Sequence, residues 1–173
     1  SAREGHTAIW TGSLMVIWGG TSYVGGARYD PSHNKWSSIS SVQEPEFRWG
    51  HTAVWTGTEM IVWGGRGNPS GVLQGGGRYN PVTDQWAGVS LTGAPSRRYG
   101  HVAVWTGSSM VVWSGVDPTP IPTIIFNDGA SYNPAADQWT PISQVNAPEP
   151  RFNATAIWTG SVMVVWHGED GWV

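Results

Sequence analysis

Short apolar runs broken by glycine set the rhythm of this chain. Thr52-Ala53-Val54-Trp55 and Met60-Ile61-Val62-Trp63 are typical, with Thr56-Gly57 between them. Such runs are too short for helices, and no segment sustains an apolar spacing of three and four residues. Paired across a tight Thr-Gly turn, they predict a β-hairpin. Gly-Gly ends the second run, where a residue without Cβ permits positive φ or close backbone approach. A third run carries a tyrosine and leads into an Asn-Pro or Asp-Pro turn, in which the side chain of Asn caps and Pro presets φ. A fourth run contains tryptophan. Each unit therefore reads as four short antiparallel strands.

The unit recurs. Arg3-Glu4-Gly5-His6, Arg48-Trp49-Gly50-His51, Arg98-Tyr99-Gly100-His101 and Arg151-Phe152-Asn153-Ala154 open successive copies. Their second runs end in Trp18, Trp63, Trp113 and Trp166. The first three copies continue into Tyr29-Asp30-Pro31, Tyr79-Asn80-Pro81 and Tyr132-Asn133-Pro134, and Trp36, Trp86 and Trp139 follow at one fixed distance. The spacing of roughly 45 to 53 residues suits propeller blades.

In these residues the chain resembles the kelch-repeat family: Arg-x-Gly-His, an apolar strand, Gly-Gly, then tyrosine and tryptophan at fixed distance. The third copy departs at Ser114-Gly115, and the fourth at Asn153-Ala154 and His167-Gly168. The resemblance implies an all-β fold, a β-propeller of four-stranded antiparallel blades. Blades are expected over about 3–40, 48–90 and 98–143, with a half blade over 151–173. About three and a half blades leave a ring open, so we expect further blades, from the same chain or another copy, to close it.

Composition narrows the function. The chain has 24 Gly, 13 Trp and 12 Pro, and only 12% charged residues. With a net charge of −3 and Lys35 as the sole lysine, there is no basic stripe for nucleic acid. No apolar run is long enough to insert in a membrane as a helix. The absence of cysteine removes disulfides, thiolate metal sites and cysteine nucleophiles. Low lysine with abundant Gly, Ser, Thr and Trp points to a bacterial protein outside the cytoplasm, secreted, periplasmic or at the cell surface.

Length varies only between second and third strands: Thr21–Val24, Arg66–Gln74 and Val116–Asn127. In an up-and-down blade these loops leave from the same end as the blade-to-blade connections, and scaffolds present binding function on such loops. The third loop is stiffened by Pro118, Pro120 and Pro122 and made apolar by Ile121, Ile124, Ile125 and Phe126. Candidate partner-binding residues are Arg66, Trp49, Asp117, Ile124 and Phe126, with Arg48 and Arg98 as anion ligands or, on the structural reading, as ties between adjacent blades through backbone carbonyls. Trp49 and Trp172 stand outside the periodic tryptophans, which read as inter-blade packing; the periodic Met15, Met60, Met110 and Met163 read as core filling. His6, His51 and His101 read as structural hydrogen-bonding groups reaching a neighbouring loop, because no acidic residue travels with them to support a metal. Asp84 and Asp137 belong to the turns. Glu4, Glu44, Glu46, Glu59, Glu149, Glu169 and Asp170 show no pairing for acid–base work. No cofactor is implied. The reading is a non-catalytic module docking a protein or glycan. Its alternatives are part of an enzyme with catalytic residues on other blades, or a structural subunit of an extracellular assembly.

Overall fold

The computed structural model describes residues 2–21 and 25–170. Most of the first blade's variable loop and Trp172 lie outside them. Blade one consists of β1 (Thr7–Trp10), β2 (Met15–Trp18), β3 (Gly26–Asp30) and β4 (Lys35–Ser38). Blade two has β5 (Thr52–Trp55) and β6 (Met60–Trp63), then a small hairpin β7 (Arg66–Gly67) and β8 (Gly71–Val72). It returns through β9 (Gly76–Asn80) and β10 (Gln85–Gly88). Blade three repeats this with β11 (Val102–Trp105), β12 (Met110–Trp113), the hairpin β13 (Val116–Asp117) and β14 (Ile124–Ile125), then β15 (Gly129–Asn133) and β16 (Gln138–Pro141). β17 (Thr155–Trp158) and β18 (Met163–Trp166) form a final pair. The three four-stranded sheets are antiparallel meanders. β1, β5, β11 and β17 are neighbours in turn and form the inner edge of the fan of blades.

Alternation along the strands builds the core between blades. From β6, Met60 and Val62 join Val16, Trp18 and Trp86 on the blade-one side. Ile61 and Trp63 join Met110, Val112 and Trp139 on the other. Trp86 packs against Trp18, and Trp139 against Trp63, each with centroids 5.4 Å apart. The indole N–H groups of Trp86 and Trp139 donate to the carbonyls of Ser40 and Ser90 in the preceding blade. Asp84 and Asp137 accept from the amides of the same two serines and from Tyr79 and Tyr132 of their own blades. A Cβ on Gly76 or Gly129, at the start of the third strand, would strike the carbonyl oxygen of Val62 or Val112.

The histidines tie inner strands together. His51 Nε2 lies 2.8 Å from Thr7 Oγ1, and His101 Nε2 lies 2.7 Å from Thr52 Oγ1. Their partners are thus threonines on the preceding blade's inner strand, where the sequence suggested a loop. The rings also fill the space beside glycine. A Cβ on Gly19 or Gly64 would come within 2.6 Å of Cε1 of His51 or His101.

The third copy inverts this pairing. Ser114 occupies the glycine position at φ 59°, and the following blade carries Ala154 instead of histidine. The serine hydroxyl takes the vacated room, accepting from the amide of Arg151 and donating towards the carbonyl of Phe126. Two apparent lapses in the repeat are thus one complementary exchange. Ala154→His alone is expected to cost about 1–3 kcal/mol by overpacking. Adding Ser114→Gly should recover part of that loss, a coupling that urea denaturation of both singles and the double variant measures. Strictly additive effects would refute the exchange.

Candidate functional site

The variable loops and the blade connections meet at one end of the inner strands. Trp49 pairs with Arg66, Tyr99 with Val116, and Phe152 with Glu169, each through an antiparallel bridge. The second residue of each repeat also leans on the glycine of the blade before it. A Cβ on Gly5 would lie 3.2 Å from Trp49, and one on Gly50 3.4 Å from Tyr99. Backbone bonds from Gly100 to Gly50 and from Asn153 to Gly100 continue the arc. Trp49 and Tyr99 meet edge to face at 5.7 Å. Arg66 lies over both rings, 5.4 Å from Trp49 and 5.3 Å from Tyr99. All three side chains are half-buried. Tyr99 was absent from the residues singled out in the sequence, although it occupies the same column of the repeat as Trp49.

Arg48 and Arg98 are placed differently from the ligand role suggested for them. Both are buried. Arg48 donates to the carbonyls of Glu46, Gly64 and Gly75. Arg98 donates to those of Ser96, Ser114 and Asp128, and its second Nη lies 2.8 Å from the Asp128 carboxylate. Arg3 does the same with Gly19 and Gly25. Each guanidinium clasps the end of the second strand to the segment entering the third, within one blade. Desolvation lowers Arg48 to about 10 and lowers Arg98 as well, so Arg48 remains a cation at neutral pH.

The blade-three hairpin is braced from below. Phe126 stacks on Arg98, with the guanidinium carbon 4.0 Å from the ring centroid. Asp117 is buried, accepts from the amide of Thr119 and lies 2.7 Å from Arg97 Nε. Its carboxyl is held low: hydrogen bonds from Thr119 and Arg97 outweigh desolvation, the largest single influence, which acts upward. On this base the hairpin lifts Ile124 (44% exposed) and Ile121 (99% exposed) into solvent. Ile121 is thus the most prominent apolar group at this end.

Elsewhere the polar chemistry is structural. Burial pushes both His51 and His101 down to about 3, with Arg48 and Arg98 respectively as the next influence. Ser32, His33 and Asp30 hydrogen-bond on an exposed turn, but serine and aspartate both approach His33 Nδ1, unlike a nucleophile–base–orienter relay. Among the described residues, no three His, Cys, Asp or Glu side chains gather in a way that could hold a metal ion, and no helix is long and apolar enough to cross a membrane.

Comparison with known families agrees with the repeat pattern. The model of the KLHDC2/KLHL20/DRC7 Kelch-repeats domain matches residues 5–173. No individual curated protein matches the chain.

Proposed function

Because the chain belongs to the kelch-repeat family, whose repeats generally mediate protein–protein interaction, we propose that it binds a protein partner on the end formed by the loops and connections. The observation that carries this reading is the convergence of Trp49, Arg66 and Tyr99 beside a braced hairpin tipped by Ile121. Aromatic and arginine side chains dominate the energetics of protein interfaces, and an exposed isoleucine on a stiff loop suits insertion into an apolar pocket. Asp117 and Phe126 serve by holding the hairpin, and Ile124 extends its apolar flank. Arg48 and Arg98 shape the platform beneath without touching the partner. A protein is favoured over a glycan at this end because Arg66 covers one face of Trp49, the flat surface a sugar ring would need.

Arg66→Glu and Ile121→Asp alter half-buried and fully exposed positions respectively. In affinity capture from native extract, each is expected to reduce retention of the wild-type partner at least about tenfold, the scale of a lost hot spot. An unchanged partner set with both variants would refute this face.

A further inference from the structure

The opposite end of the blades carries a second, repeated feature. Two clefts of about 400 and 460 Å3 open between successive blades, where the Thr-Gly hairpins face the Asn-Pro turns. Trp55 lines the first and Trp105 the second. Each indole packs on the buried core while also bordering its cleft, so it offers apolar surface to a ligand from a fixed position. Arg28 and Arg78 anchor the far walls by donating to the carbonyls of Pro81 and Pro134 in the next blade, both at 2.8 Å. The sites are therefore preformed, which lowers the ordering cost of binding.

The lining defines the ligand chemistry. Asn80 Oδ1 accepts from Val82 and Thr83, and Asn133 Oδ1 from Ala135 and Ala136. Both Nδ2 groups remain without a protein acceptor among the described residues. Thr11 and Ser13 add hydroxyls to the first cleft, Thr56 and Ser108 to the second, and Thr58 borders both. No ionisable side chain lines the first, and the only one in the second, Glu59, lies 3.9 Å from Arg78. The walls are tight turns and present no open strand edge for a peptide to extend. An indole flanked by hydroxyl and amide groups without net charge matches a sugar ring, with its C–H face on the aromatic and its hydroxyls on the rim. Two such clefts at successive blade junctions suit a ligand that itself repeats, because linked weak contacts raise the overall affinity. We propose that the clefts at Trp55 and Trp105 form a binding site for a neutral oligosaccharide.

The test uses cellohexaose, xylohexaose and chitohexaose, with a galacturonic acid hexamer as the charged counterpart. Calorimetry and the indole N–H signals in NMR report binding. At least one neutral hexasaccharide is expected to bind and shift Trp55 and Trp105, while the charged one does not. Asn80→Asp with Asn133→Asp keeps the turn-capping oxygen but removes the amide donors. Asp30 fills the equivalent position in blade one and caps Ser32, so the variant should fold normally and bind at least tenfold more weakly. Thr58→Arg, at an exposed turn position, should block both clefts. Failure of all three neutral sugars to shift these indoles would overturn the proposal. So would wild-type affinity in both variants, or a protein that shifts the same indoles when no sugar does.

Discussion

Arg98→Met is expected to destabilise the chain by about 3–5 kcal/mol, because the buried guanidinium is the shared donor to three backbone carbonyls. Arg98 is fully buried, bonded to three carbonyl groups and paired with Asp128. Methionine fills much of the volume but leaves the buried carbonyls without donors, each a cost of about 1–3 kcal/mol before relaxation. The repeat supplies internal controls. Arg48 has similar carbonyl bonds without a carboxylate at ion-pair distance, so Arg48→Met should cost less. Arg151 is half-buried and donates to the carbonyls of Glu149 and His167, so Arg151→Met should cost least. Urea denaturation of the three variants gives the order directly. Equal losses at Arg98 and Arg151 would contradict the buried-clasp account.

Mild acid should produce the second large effect. His51 and His101 titrate near 3 in the folded chain against an ordinary 6.5. Below pH 6.5 the unfolded chain takes up protons that the folded chain refuses, so stability falls as pH falls, down to about 3. At pH 5 the loss is roughly 2 kcal/mol for each histidine. Small domains hold only about 5–15 kcal/mol in total, so the denaturation midpoint should drop clearly between pH 7 and 5. Tyr79 and Tyr132 hydrogen-bond Asp84 and Asp137, the leading cause that holds these carboxyls low. Their contribution is lost only at still lower pH. His101→Gln retains a hydrogen-bonding group that does not titrate and should flatten the slope above pH 5. An unaltered slope would place the acid sensitivity elsewhere.

Strands and blades were legible in the sequence because their signals are local: runs of four, Thr-Gly turns, and glycine before the tyrosine strand. The chemistry was less so. Trp18, Trp55, Trp63 and Trp105 look equivalent as periodic tryptophans. Yet Trp18 and Trp63 end the second strands between sheets, while Trp55 and Trp105 end the inner strands beside open turns. Periodicity identifies a column without saying which columns stop at solvent. The arginines posed the same problem. A repeated arginine reads either as an anion ring or as a tie between adjacent blades through backbone carbonyls, whereas the carbonyls of Gly64, Gly75, Ser114 and Asp128 converge on it from within one blade. Arg66 meets Trp49 because its loop folds back along its own blade, and it meets Tyr99 because the next blade's opening residue leans on Gly50.

The exchange of Gly64 and His101 for Ser114 and Ala154 makes the blades non-interchangeable. A unit ending its second strand in glycine accepts a histidine-bearing successor, whereas the unit carrying Ser114 requires a small residue there. Tandem duplication of blade two would create a compatible junction. Duplication of blade three would set Ser114 against a second copy of His101 and create a steric fault. Local packing thus acts as a rule of succession, limiting which rearrangements of such a gene could yield a folded product.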